Sequence, residues 1–223
     1  MKSYRPERCR SFCAAVVAAL SLSLTDCSSD QSNDYGQVFQ IFTHIFGGED
    51  DRVTYQQAAG IPFSTIGVRV GDSTEGILVL GSSNGDEQLW TAASHIVLVT
   101  RNGRVVRTAG LEENLSEMRL VRGSVSGSLP SAETVWEADF PDRHLYSVPV
   151  TCKAYSGGAD TYNNFNSAVP VIKVMDECRS DKIDWSFTNT YWIAPQTGLM
   201  WHSIQHISPK LDPLELRVLR PPG

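Results

Sequence analysis

The sequence lacks an apolar run long enough to cross a membrane as a helix, which takes about 20 residues. Its most apolar stretch, residues 11–24, is shorter and includes several serines. The sequence also lacks a surplus of basic residues, since 19 Lys and Arg stand against 25 Asp and Glu and the net charge is −6. Proteins that bind nucleic acid concentrate Lys and Arg on one face. Nucleic acid is therefore not an expected partner.

Motifs for metals and cofactors are missing as well. The five cysteines and five histidines show none of the spacings of zinc sites. His202 and His206 share a face of a predicted strand, but residues four apart on a strand are separated by about 13 Å, too far to share an ion. We expect no metal and no cofactor. With no internal repeat and no visible boundary, a single folded domain of roughly 190 residues is predicted.

Residues 1–26 have the pattern of a lipoprotein signal peptide. Four basic residues within positions 2–10 precede the apolar stretch. The segment ends Leu24-Thr25-Asp26-Cys27, which resembles a bacterial lipobox in which Asp26 replaces the usual small residue. We expect Cys27 to carry acyl chains such as palmitate. An ordinary cleaved signal is the alternative.

Acylation at Cys27 would anchor the protein without spanning the bilayer, because each buried methylene contributes about 0.8 kcal/mol. Residues 27–34 continue as a polar stretch that predicts a flexible tether. Ser28 is not the Asp that signals inner-membrane retention in such lipoproteins. By that resemblance, we expect the anchor in the lipid of the outer membrane and the domain in the periplasm.

We expect Cys9 and Cys13 to be removed with the signal peptide and Cys27 to be acylated. Two cysteines then remain, Cys152 and Cys178. Two cysteines in an oxidising compartment indicate a disulfide. Such a bond would stabilise the domain by roughly 3 to 4 kcal/mol on the chain-entropy model. Two reduced, buried thiols are the alternative.

Hydrophobic periodicity predicts a mainly β domain over residues 35–223. One amphipathic helix is expected at residues 35–46, with its apolar face packed on the core or lying on the bilayer. Short strands then recur about every 8 to 12 residues, which is typical of an antiparallel barrel or sandwich. Residues 157–167 are expected to form a polar loop. The predicted strands are residues 64–70, 76–82, 87–90, 96–100, 105–111, 131–140, 146–152, 169–178, 183–192, 199–207 and 214–219.

Two Asn-Gly pairs give the clearest local signal. Asn102-Gly103 separates two β-branched runs, and a type I′ hairpin turn needs positive φ at both central residues. Asn84-Gly85 predicts a second hairpin. Gly110 follows a strand and is expected to leave it with positive φ.

Two blocks of sequence, one near each end of the domain, carry a family resemblance. The stretches are residues 67–72, 78–80, Trp90, 98–111, 189–192, 197–205, Pro209 and 218–222. In order and spacing they resemble the outer-membrane lipoproteins encoded with group 4 capsule and exopolysaccharide genes, the GfcB/YjbF type. The resemblance covers nearly the whole mature domain, and residues 124–180 match only loosely.

The resemblance implies a role in assembling or exporting a surface polysaccharide. It implies two partners, a companion periplasmic protein and an outer-membrane β-barrel, and it supplies no chemical activity. We therefore expect a non-enzymatic assembly or docking module. The alternatives are a polysaccharide-binding module and a polysaccharide-modifying hydrolase.

Aromatic residues near the C-terminus are the candidates for a polysaccharide contact, because sugar rings stack on flat aromatic faces. We predict contacts at Trp192, Trp201 and Gln205, of which the last two share one face of a strand. The alternative is core packing, since a small β domain buries most of its tryptophans. The cluster comprises Trp185, Phe187, Tyr191, Trp192 and Trp201.

Catalytic signals are weak, and no catalytic residue is predicted. Glu137 and Asp139 face the same way on a strand, at the roughly 6 to 7 Å that would suit a glycosidase. Solvated strand faces produce the same pattern. Residues 81–85 match the Gly-x-Ser-x-Gly elbow around Ser83, but that motif needs a following helix and residues 86–91 have the pattern of a strand.

Overall fold

The structure, a computed structural model, describes residues 52–126 and 129–222. The predicted signal peptide, the tether with Cys27 and the helix expected at residues 35–46 lie outside the described residues. Within the described ranges, no helix has the length and hydrophobicity needed to span a membrane. The predicted mainly β class is confirmed.

The described chain contains one short helix, a single 3₁₀ turn at Pro141–Arg143 and a series of antiparallel strands. In chain order the helix and strands are α1 (Tyr55–Ala59), β1 (Thr65–Val70), β2 (Gly76–Asn84), β3 (Glu87–Thr91), β4 (Val97–Arg101), β5 (Arg104–Ala109), β6 (Glu117–Arg122), β7 (Val125–Ser126), β8 (Leu129–Pro130), β9 (Glu133–Phe140), β10 (Leu145–Asn164), β11 (Ser167–Ser180), β12 (Trp185–Ile193), β13 (Met200–Gln205) and β14 (Leu214–Arg220).

Twelve strands form one sheet in the order β5-β4-β3-β2-β1-β14-β13-β12-β11-β10-β9-β6, and β7 pairs separately with β8. The two edges of the large sheet approach each other. The Thr108 amide donates to the Leu115 carbonyl at 2.7 Å, and the Leu115 amide donates to Thr108 Oγ1 at 2.9 Å. The sheet is therefore a nearly closed barrel, one of the two architectures that the strand spacing predicts.

The core lies inside this barrel. Alternate residues of a strand point to opposite faces, and in β9 the inward set Trp136, Ala138 and Phe140 is buried while the residues between them are not. In β10 the same alternation buries Val148 and Val150. Each strand thus presents its apolar residues to one shared core.

The predicted disulfide is present. Cys152 in β10 lies directly opposite Cys178 in β11, and the two are bonded. Both are buried against the main core. The bond joins the two longest strands to each other. It lies near the point beyond which their side chains no longer pack in the main core.

The prediction of a polar loop at residues 157–167 is wrong. Strand β10 continues to Asn164 and β11 begins at Ser167, so only a two-residue turn separates them. This end of the hairpin extends past the main core, and its residues therefore lack the alternation of apolar side chains that marks a half-buried strand. Strand β6, which packs at the barrel edge, was not predicted either.

The turn at Asn102-Gly103 forms where the sequence places it, and the turn predicted at Asn84-Gly85 forms one residue later. Asn102 has φ of 50° and Gly103 has φ of 79°, which confirms the type I′ geometry. In the β2–β3 hairpin the two turn residues are Gly85 and Asp86, of which only Gly85 has positive φ, at 62°. Gly110 has φ of 82°, and a Cβ there would lie 2.5 Å from the His95 carbonyl oxygen.

Helix α1 covers the outer face of β1, β2 and β14. Thr54 caps it, because its side chain accepts from the Gln57 amide while the Gln57 side chain accepts from the Thr54 amide. Ala58 and Ile61 pack against Leu219 in a second, smaller core. The described chain therefore begins on the outside of the strands at the centre of the sheet.

Inside the barrel, Gln205 binds the β4–β5 hairpin to β13. The Val105 amide donates to Gln205 Oε1 at 2.9 Å, and Gln205 Nε2 donates to the Gly103 carbonyl at 3.0 Å. Gln205 is only 3% exposed. Strand β5 ends the sheet, so this amide supplies the partners that a neighbouring strand would otherwise provide.

A buried ion pair lies beside this contact. Arg104, the first residue of β5, donates to Asp176 Oδ2 of β11 at 2.7 Å. Its guanidinium also lies 4.1 Å from the ring centre of Tyr191 in β12. Burial raises the pKa of Tyr191 to about 12, so its hydroxyl stays protonated. The start of β5 is thus held against three strands on the far side of the barrel.

We predict that Gln205→Leu lowers the free energy of unfolding by about 2 to 4 kcal/mol, because the buried Val105 amide and the half-buried Gly103 carbonyl lose their partner at about 1 to 3 kcal/mol each. Urea denaturation followed by circular dichroism measures the change. Gln196→Leu, the same substitution in the exposed β12–β13 turn, is the matched control. A loss below about 0.5 kcal/mol for Gln205→Leu, within the usual range for surface substitutions, would contradict the role assigned to this amide.

Candidate functional site

A cavity of about 240 Å³ opens at one end of the barrel. Three hairpin turns and the C-terminal segment meet there: the β2–β3 turn at Gly85 and Asp86, the β4–β5 turn at Asn102 and Gly103, residues 197–199 between β12 and β13, and Pro222. We call it the end cavity. Most of the residues that line it belong to the stretches that carry the family resemblance.

The inner wall of the end cavity combines an aromatic side chain with hydroxyl groups. Trp90 of β3 is 3% exposed, and its Nε1 donates to Thr100 Oγ1 of β4 at 3.0 Å. Ser203 of β13 also lines the wall, and its Oγ accepts from Gln205 Nε2 at 2.8 Å. Each hydroxyl that accepts here keeps its own proton to donate.

The mouth of the end cavity depends on a close approach between two turns. A Cβ on Gly103 would lie 2.8 Å from Met200 Cβ, so a glycine is needed for this approach as well as for its positive φ. Half-buried Trp201 follows Met200 on β13 and lines the mouth. On the opposite side, Asn102 Nδ2 donates to Asp86 Oδ2 at 3.2 Å.

A second polar group lies on the outer face of β1 and β14. The Glu75 carboxylate, 1% exposed, accepts from Arg217 Nε at 2.7 Å and from the Val53 amide at 2.7 Å. It lies flat across β1 at Gly67, where any Cβ would collide with it. The paired charges fasten the segment before α1 to the sheet.

Glu215 continues this outer network along β14. Its carboxylate accepts from Arg52 at 2.9 Å and from His202 Nε2 at 2.8 Å, and it pairs with Arg69 at 3.1 Å. Burial by itself acts to raise the pKa of Glu215. The hydrogen bonds from His202 and Arg52 outweigh that effect and lower the pKa to about 2.

The outer face also holds an aromatic stack. The His202 ring stacks on Trp192 with centroids 4.3 Å apart and on Tyr162 with centroids 5.3 Å apart. Lys173, which pairs with Trp192 from the other neighbouring strand, places its ammonium 5.4 Å from the indole centre. Trp192 Nε1 donates to Asp160 at 3.1 Å. Neighbours from both adjacent strands therefore cover the Trp192 ring.

The structure separates the three residues predicted to contact polysaccharide. Trp201 lines the end cavity, Trp192 lies in the outer stack, and Gln205 is buried in the barrel. Of these, only Trp201 has a position open to a ligand at the cavity, and the contact itself stays a prediction. The other members of the aromatic cluster, Trp185, Phe187 and Tyr191, are buried as core packing expects.

The residues that sequence reasoning missed are Trp90, Asp86 and Asn102. The sequence showed the last two only as parts of hairpin turns. The two turns are 16 residues apart in the chain, and they meet at one end of the barrel because β2 to β5 pair in chain order. The signal that could have found Trp90 and Asn102 is the family resemblance, because the stretches that contain them meet at this cavity. Asp86 lies outside those stretches.

The weaker catalytic signals have structural explanations. Ser83 lies within β2 opposite Gln88, and β3 follows instead of a helix. Glu137 forms an ion pair with Arg119, and Asp139 accepts from the Ser147 amide at 2.6 Å. Across the described ranges, no three His, Cys, Asp or Glu side chains are grouped so that they could hold a metal ion.

Comparison with known proteins identifies the family. The family model described as "Group 4 capsule polysaccharide lipoprotein gfcB, YjbF" matches residues 39–219. The chain belongs to this lipoprotein family. A curated relative, "Uncharacterized lipoprotein GfcB" of Escherichia coli K12, is 25% identical over 214 residues, which span 92% of this chain and 97% of the relative.

The fold is shared with a solved member of the lipoproteins of Escherichia coli K12. The crystal structure of the hypothetical lipoprotein YmcC matches with a TM-score of 0.66 at 24% identity, covering 87% of this chain and 99% of that one. The nearly closed barrel is therefore also found in an experimental structure. The expected family resemblance is confirmed.

We predict that Glu215→Gln lowers the free energy of unfolding at pH 7 by about 3 kcal/mol, because the pKa of Glu215 is lowered from 4.5 to about 2 and each pKa unit is worth about 1.4 kcal/mol. The stabilisation by the Glu215 carboxylate is complete above pH 4.5 and is lost as the pH falls towards 2. The variant should therefore show a flatter dependence of stability on pH in that range. Urea denaturation at a series of pH values measures it.

The matched control for this prediction is Glu177→Gln, because Glu177 is exposed on β11. It should keep the pH dependence of the original protein between pH 4.5 and 2. The network assigned to Glu215 would be contradicted if both variants followed the original curve.

Proposed function

We propose that this lipoprotein is held in the outer membrane by acyl chains on Cys27, with its domain in the periplasm. There it takes part in the assembly or export of capsule or exopolysaccharide without catalysing a reaction. The observation that carries the proposal is the family match across the folded domain. The lipobox-like end of residues 1–26 and the disulfide support an oxidising, lipid-anchored location.

The proposed partners are a companion periplasmic protein and an outer-membrane β-barrel of the export apparatus. Residues 27–34 would act as the tether that lets the domain, residues 35–223, reach them. The groups at the end cavity support binding: they are indole, hydroxyl and amide groups, which hold a ligand by packing and hydrogen bonds. The carboxylates of the hydrolase alternative, Glu137 and Asp139, serve the barrel itself.

Cys27→Ser should move the protein from the membrane fraction to the soluble periplasmic fraction, because the acyl chains supply the membrane affinity. Surface polysaccharide should fall to the level of cells that lack the protein. Cys13→Ser, a cysteine inside the predicted signal peptide, is the matched control and should change neither. Unchanged surface polysaccharide with a soluble Cys27→Ser protein would overturn the proposed anchor requirement.

A second candidate function is polysaccharide binding at the end cavity. Trp201 favours it, because this half-buried indole lines a cavity that also presents hydroxyl and amide groups. Aromatic faces and hydroxyl-bearing groups are the two features that a sugar ring can use together. A binding module would hold the growing chain near the export apparatus.

Trp201→Phe should weaken binding of the cell's own surface polysaccharide by about two- to tenfold, since a smaller ring loses part of a contact comparable to an aromatic pair of about 0.5 to 1.5 kcal/mol. Isothermal titration with the full-length protein in detergent measures the affinity. Trp192→Phe makes the same change outside the cavity and should leave affinity unchanged. Equal losses in the two variants would contradict binding at the end cavity.

A further inference from the structure

The volume of the end cavity limits the size of its ligand. At about 240 Å³ it lies below the roughly 300 to 1,000 Å³ that is usual for sites of drug-sized molecules. Such a space holds one ring with its substituents. Neighbouring units of a longer chain would remain outside the mouth.

The hydrogen-bonding groups of the end cavity are uncharged and can act in both directions. Thr100 and Ser203 accept hydrogen bonds from Trp90 and Gln205, and their own hydroxyl protons remain to be donated. Gln88, which lies opposite Thr100 across β3 and β4, adds an amide to the lining. A sugar hydroxyl is both donor and acceptor and so complements these groups.

Among the described residues that line the end cavity, two carry a charge, Asp86 and Arg217. The Arg217 guanidinium lies on the outer face of β14, where Glu75 and the Val53 carbonyl bind it. The Asp86 carboxylate at the rim is therefore the charge that an entering ligand meets, and it faces the Asn102 amide.

A carboxylate at the mouth discriminates between ligands by charge. An acidic ring would bring a second negative charge within a few ångströms of Asp86, and repulsion at that distance is unfavourable even in a partly solvated site. Among the described lining residues no cation offsets this repulsion, because the Arg217 guanidinium is bound by Glu75 on the outer face of β14. An uncharged ring meets no such penalty.

We propose that the end cavity binds a single uncharged sugar ring and discriminates against sugar rings that carry a carboxylate. The inference rests on the second proposed function, polysaccharide binding at this cavity, and adds the class of sugar. Trp201 supplies the apolar contact, the wall hydroxyls bind the ring, and Asp86 sets the selectivity.

The test compares sugars that differ only at C6. Methyl α-glucopyranoside and methyl α-galactopyranoside are titrated against the corresponding methyl uronosides, with binding to the full-length protein in detergent measured by saturation-transfer NMR at low salt. At least one uncharged glycoside should bind, and its uronoside should bind about fivefold more weakly or worse. Added salt should narrow the difference, since Asp86 is exposed.

Asp86→Asn isolates the charge while keeping the shape of the rim. It should reduce the difference between glycoside and uronoside to less than about twofold, because the repulsion is removed. Asp72→Asn is the matched control, since Asp72 is exposed in the β1–β2 loop and does not line the cavity. It should keep the original selectivity.

The outcomes separate this inference from the function on which it rests. If a uronoside binds as well as its glycoside, or if Asp86→Asn leaves the selectivity intact, the inference is overturned while polysaccharide binding at the cavity stands. If the polysaccharide binds through Trp201 but no uncharged glycoside binds, the inference is again overturned. If neither polysaccharide nor glycoside binds, the second proposed function fails with it.

Discussion

The side-chain amide of Gln205 joins the free edge of β5 to the inner face of β13. The position of the β4–β5 hairpin depends on this contact, because β5 has no strand neighbour on that side. The turn at Gly103 then reaches Met200, and the end cavity opens between them. Arg104 and Asp176 form their buried ion pair in the same region. Without the amide, the hairpin turn beside the cavity would lose its hydrogen bonds to β13.

Strand β14 links the cavity to the outer network. Its inward residues Leu216 and Val218 pack in the core and line the cavity, while Glu215 and Arg217 face outward. Glu215 is bound by Arg52, by Arg69 of β1 and by His202 of β13, and Arg217 is bound by Glu75. This alternation removes the Arg217 guanidinium from the cavity and leaves Asp86 as the charge at its mouth. The charge at the cavity therefore depends in part on which residues of β14 face inward.

Sequence reasoning succeeded where a local rule decides the structure. Asn102 and Gly103 specify their turn through φ alone, and Cys152 and Cys178 could be paired by elimination. It failed where distant contacts decide. Residues 157–167 lie in a hairpin that extends beyond the core, so burial imposes no alternation of apolar and polar residues on them. The sequence around Gln205 does not show whether its side chain contacts a sugar or the edge of a strand. Trp192 and Trp201 differ only in which neighbours cover their rings, which depends on strand order.

The most direct test of the central claim is amide hydrogen exchange at Val105, followed by NMR on the unmodified protein. The account predicts that this amide, although it lies on an edge strand, exchanges as slowly as the paired amides of β4, because Gln205 Oε1 accepts from it inside the barrel. Exchange as fast as that of the exposed amides of Gln196 and Thr197 would show that the hairpin is not held there, and would contradict the account.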